Sequence, residues 1–145
     1  MLTIWQALIG FGLIVLIILF VFRISVVRDI ILLPENYKEL LTDYIKFYRQ
    51  LNEEEKLSFE KRVEHFLSAV KITGVNAVVE DLDRILIGSG AIIPVFRIPD
   101  WQYINLHEVL VYPGAFNKDF DQVGSDRPIA GMVGNGPMQN VMIIT

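Results

Sequence analysis

The sequence predicts an α+β fold in which an N-terminal transmembrane helix leads into a domain of helices followed by strands. Three observations predict it. Residues 4–22 are apolar except for Gln6. Residues 37–70 and 81–93 carry apolar side chains at helical spacing, and residues 108–144 change to short β-branched and aromatic runs bounded by turn residues.

At about 1.5 Å per residue, the apolar segment rises roughly 28 Å as a helix, close to the hydrocarbon thickness of a bilayer. Such a helix is greasy on every side, so lipid is the partner it predicts. A cleaved signal peptide is disfavoured, because no positive charge precedes the segment and no small-residue cleavage site follows it. Trp5 suits one membrane interface and Arg23 and Arg28 the other. With both arginines after the span, the positive-inside rule expects a single-pass protein of the cell membrane with its domain in the cytoplasm. The domain boundaries expected are 1–33 for anchor and connector and 34–145 for the domain.

Every charged side chain lies after Phe22, so the net charge of -4 belongs to the domain. An acidic surface without a basic patch excludes nucleic acid as a partner. The chain has no cysteine, which rules out disulfides and thiolate chemistry.

Pro34 ends the connector or starts the first helix of the domain. Tyr37, Leu40, Leu41, Tyr44, Ile45, Tyr48 and Leu51 then recur on one helical face. Asn52 reads as an N-cap, with Glu53, Glu54 and Glu55 in the first turn of a second helix, where carboxylates meet the positive end of the dipole. Phe59, Val63, Phe66, Leu67 and Val70 form its buried stripe. The short junction makes the pair a helical hairpin. After Thr73 and Gly74, residues 75–79 read as a short strand. Residues 81–93 read as a third helix, ended by Pro94. Its Gly88-Ser89-Gly90-Ala91 run costs helix propensity and is tolerated where another element packs close. Residues 108–112 read as a strand, 117–128 as a polar loop, Gly134-Asn135-Gly136 as a turn and 141–144 as a further strand. Met142, Ile143 and Ile144 look buried where the sequence stops, so Thr145 is expected to be a truncation point.

Few side chains suggest chemistry. The glutamate run at 53–55 fits a helix start better than a metal. Glu80, Asp81 and Asp83 lack calcium-loop spacing. Ser89 and Ser125 lack a nucleophile elbow. The Gly88–Ala91 run lacks the lysine and spacing of a phosphate loop.

The domain resembles the N-terminal half of the MtfA-like family of zinc-dependent peptidases (Mlc titration factor A and relatives), from about Tyr37 to Thr145. The residues that carry the resemblance are Leu51-Asn52-Glu53-Glu54-Glu55, then Phe66, Leu67, Lys71 and Gly74, then Ile92-Ile93-Pro94-Val95. The most specific block is His107-Glu108-Val109-Leu110-Val111-Tyr112-Pro113-Gly114-Ala115-Phe116. Gly134 and residues 141–145 resemble the strand that follows, with Asn135 where the family usually has Glu. The resemblance implies a zincin-like fold and a peptidase acting on peptides or proteins. It also implies zinc in the full-length member, held by two histidines of an HExxH helix and a downstream carboxylate, with the motif's Glu as general base. Histidines at i and i+4 share one helix face, which is why the motif can hold one metal. This chain has His65 and His107 only. His107-Glu108 begins like the motif, but Val111 holds the second histidine's place. In a strand, positions i and i+4 lie about 13 Å apart. No catalytic residue and no metal ligand is therefore assigned, and no zinc is expected on this chain. The expected function is a membrane-anchored metallopeptidase represented by its N-terminal scaffold. The alternative is a complete, non-catalytic, membrane-tethered interaction module.

Overall fold

The structure, a computed structural model, describes Gly12, residues 33–134 and residues 136–145. All but Gly12 lie in one compact unit, Ile31–Thr145. Its elements are α1 (Tyr37–Tyr44), α2 (Lys46–Arg49), α3 (Glu53–Ala69), β1 (Lys71–Gly74), α4 (Asp81–Ile92), β2 (Glu108–Val111), β3 (Gly131–Val133) and β4 (Val141–Ile144). Short 3-10 turns occupy Ile93–Val95 and Gly136–Met138.

The expected fold class is corrected at its N-terminus. Among the described residues, no helix is long and apolar enough to cross a membrane. The supposed span at 4–22, and Trp5, Arg23 and Arg28 with it, lies outside the described residues except for Gly12. The fold is a mixed α/β unit with a four-stranded sheet. The expectation of a single-pass membrane location is withdrawn with the span.

The first helix also differs from expectation. Its face runs through Ile45, yet that residue is extended (φ -107°, ψ 94°) and separates α1 from α2. Ile45 is buried, and the break turns α2 onto the core. Arg49 closes the break by donating Nη1 to the carbonyls of Thr42 and Asp43 at 2.7 and 2.9 Å, satisfying groups that a helix end leaves open. Tyr48 is buried, whereas Tyr44 is 56% exposed and leaves the apolar face.

Asn52 caps α3 as expected. Its side chain accepts from the Glu55 N–H at 2.9 Å, and Glu55 Oε2 accepts from the Asn52 N–H at 3.1 Å. The stripe of α3 is buried throughout. Each such side chain contributes about 1.5–3 kcal/mol of burial. Gly88 explains the small-residue run of α4. A Cβ there would stand 3.0 Å from Val63 Cγ1 and 3.3 Å from Leu67 Cγ, whereas Gly90 faces open space.

The sheet order is β1-β2-β4-β3, with β1, β2 and β4 parallel and β3 antiparallel to β4. The α4 crossover links β1 to β2, as a parallel pair requires. The first strand starts at Lys71, four residues earlier than expected, because Lys71 N–H reaches the His107 carbonyl at 2.9 Å and Ile72 is needed in the core. Ile72 and Val109 face the helices, with Val111, Met142 and Ile144 packed against that core. On the opposite face, Tyr112, Phe116 and Ile143 form a second cluster with Leu110, Ile129 and Met132.

Candidate functional site

The site that stands out is a sheet edge. In an antiparallel pair, residues alternate between exchanging backbone bonds with the neighbour and turning those groups away from it. Gly134 N–H donates to the Val141 carbonyl at 2.8 Å, which fixes the phase. Met132, opposite Ile143, is then in a bonded position. Gly131 and Val133, opposite Ile144 and Met142, direct their N–H and C=O groups away from β4. The same phase turns Ile129 outward, and there the outer side is taken. Phe116 N–H donates to the Ile129 carbonyl at 2.8 Å, and Ile129 N–H donates back at 3.0 Å. The edge is thus closed beside Ile129 and open at Gly131 and Val133, to which no described residue bonds on that side. Both residues are exposed, and Val133 is 74% exposed.

The other edge of the sheet is less accessible. Lys71 and Val75 donate inward to β2, so Ile72 and Gly74 face outward along β1. Ile72 is only 6% exposed, and the Ala77 carbonyl crowds Gly74 so closely that a Cβ would sit 2.0 Å from its oxygen. Of the two edges, β3 is the one that can take another strand. Two residues with free donors and acceptors offer up to four hydrogen bonds to an extended chain, the chemistry of β-strand addition.

The polar clusters elsewhere are structural. Glu60 is 7% exposed and accepts from the hydroxyls of Tyr48 at 2.7 Å and Tyr37 at 2.9 Å, with Lys38 Nζ at 3.7 Å. Burial, and then the hydrogen bond to Glu60, pushes both tyrosines above the ordinary phenol value. These hydroxyls therefore stay protonated as donors and tie α1 and α2 to α3. Glu108 accepts from Thr73 Oγ1 and pairs with Lys71 at 3.3 Å across β1 and β2. Glu55, held below the usual carboxylate range chiefly by the Asn52 N–H, also meets Arg97 at 2.8 Å.

The histidines are not brought together as a site: His65 is exposed on α3, and His107 is exposed at the entrance to β2. Among the described residues, no group of three His, Cys, Asp or Glu side chains could hold a metal ion. Asn135, where the resemblance looks for a Glu, lies outside the described residues. The edge strand itself was missed in the sequence. Its signal was the apolar run Ile129–Val133 between Pro128 and Gly134, weakened by Gly131.

The family described as glucose-regulated metallo-peptidase M90 matches residues 26–145. The chain belongs to this family. That agrees with the resemblance carried by residues 107–116, which form β2 and the turn leading to Phe116. The chain is also 31% identical over 85 residues to an uncharacterized protein of Synechocystis, a match covering 58% of this chain and 31% of that protein. The chain thus spans about a third of the length of the curated relative it matches. No solved structure matches it. Family membership suggests zinc in full-length members; among the described residues no group of side chains supplies the three protein ligands that a zinc peptidase needs around one ion.

Proposed function

We propose that this chain supplies the scaffold of a metallopeptidase and the strand edge on which an extended peptide docks, the zinc ligands coming from other residues than those described. The open edge of β3 carries the reading. It is regular, exposed and backed by a rigid sheet, and its donors and acceptors alternate as an added strand requires. Membership of a metallopeptidase family makes a polypeptide the fitting occupant. Holding the substrate extended along a fixed edge presents its peptide bonds in one register, which is the positioning part of catalysis. The alternative, a binding module without catalysis, uses the same edge.

The test is direct. The purified chain, mixed with a fluorescein-labelled hexapeptide of alternating Thr and Val, should bind it without cleaving it and should contain less than stoichiometric zinc by metal analysis. Hydrolysis of the peptide by this chain, abolished by a chelator, would contradict the division of labour. Absence of binding would contradict the docking edge.

A further inference from the structure

We infer that Phe120 selects a large apolar or aromatic side chain at the Ile129 end of a peptide docked on β3; this rests on the docking reading above. Three observations converge on that end of the edge. Phe116 occupies the outer side of Ile129 through two backbone bonds, so an added strand must end, or turn away, beside it. The Phe116 ring is fully buried, and the Phe120 ring stacks on it at 6.1 Å with an interplanar angle of 16°. One face of Phe120 is used in that stack, and the residue remains 38% exposed.

The backbone adds a further reason. Phe120 has φ +60°, a left-handed conformation that a bulky L-residue adopts only under constraint. The surrounding turn imposes it. Asn117 Oδ1 accepts from the N–H groups of Asp119 and Asp121 at 2.9 and 3.0 Å, and the Phe120 N–H donates to the Asn117 carbonyl at 3.1 Å. Glycine would hold this turn with less strain, so the residue is kept for its ring, which covers Phe116 and leaves part of its own surface open. An aromatic ring held over a buried one, next to the closed end of a strand-accepting edge, is a shelf for an apolar side chain. An apolar shelf offers a carboxylate no hydrogen-bond partner, so an acidic side chain is disfavoured there.

The experiment uses labelled hexapeptides identical except for an end residue of Phe, Leu, Ala or Asp, titrated against the chain and two variants by fluorescence anisotropy. For the unaltered chain, the Phe peptide should bind about tenfold tighter than the Ala peptide, as one aromatic contact allows, and the Asp peptide should bind weakest. Phe120→Gly, which relieves the turn and whose circular dichroism spectrum checks that the fold survives the loss of the ring over Phe116, should bring the Phe and Ala peptides to equal affinity while leaving the Ala peptide unchanged. Val133→Pro removes an outward donor and should weaken all four peptides alike. If Phe120→Gly keeps the preference, or weakens every peptide equally, the assignment of Phe120 fails while the edge stands. If Val133→Pro changes nothing, or no peptide binds the unaltered chain, the docking edge itself fails.

Discussion

The phase of β3 can be checked by proline substitution at adjacent positions. Met132 lies in a bonded position opposite Ile143, so Met132→Pro deletes a ladder donor, worth about 0.5–1.5 kcal/mol. It also strands the Ile143 carbonyl, and because Ile143 is 0% exposed that acceptor has no water to turn to, adding about 1–3 kcal/mol. The total expected loss is about 1.5–4.5 kcal/mol. Val133 turns its N–H outward, so Val133→Pro removes no ladder bond and should cost under about 1 kcal/mol, in line with proline's tolerance at solvent-facing edge positions. Urea unfolding followed by circular dichroism measures both. Equal destabilisation by the two variants, or a larger loss at Val133, would show that the outward residues have been misassigned.

The helix crossing gives a second pair of opposite sign. Gly88→Ala should destabilise by about 1–2 kcal/mol, because its Cβ presses on Val63 and Leu67, while Gly90→Ala should stabilise by about 0.5–1 kcal/mol in open space; thermal melts that move the same way would refute the crossing. Ser89→Ala should be neutral or stabilising by up to about 1 kcal/mol, since the buried hydroxyl has no partner among the described residues; a loss above about 2 kcal/mol would reveal one. Glu55 is held below its ordinary value of 4.5, so its contribution is present above pH 4.5 and is lost as the pH falls through the lowered value. The stability gap between the chain and Glu55→Gln should therefore close on acidification below pH 4.5 and stay constant above it, as pH-jump unfolding would show.

Local chemistry was legible in the sequence where it decides structure locally. Asn52 and Glu55 close a capping box with their own neighbours, and the stripe from Phe59 to Val70 has one helical solution. The blocks between Leu51 and Thr145, taken in order and with 107–116 the most specific, carried the family resemblance. The break at Ile45 was not legible, because neither glycine nor proline marks it; the core claims Ile45 and Tyr48 together, and the backbone yields. Nothing in the sequence singles out Glu60, and only the tertiary arrangement places two tyrosine hydroxyls on it. The start of β1 was misplaced because its partner, His107, is 36 residues away by number (107 less 71) and its pairing is parallel. The edge at Gly131 and Val133 was invisible for a deeper reason. Which groups of a strand are unpaired depends on its neighbour's register, and a neighbour is not written into five residues. The apolar N-terminal run predicted a membrane span, and that expectation is corrected by the absence of a spanning helix among the described residues.

The most direct measurement is a nitrogen-15 amide spectrum of the labelled chain during titration with the Thr/Val hexapeptide. An added strand on β3 moves the amide signals of Gly131 and Val133 and slows their hydrogen exchange, while Met132, already bonded to β4, changes least among the three. Shifts confined to β1, or none at Gly131 and Val133 at saturating peptide, would contradict the claim that this edge receives the chain.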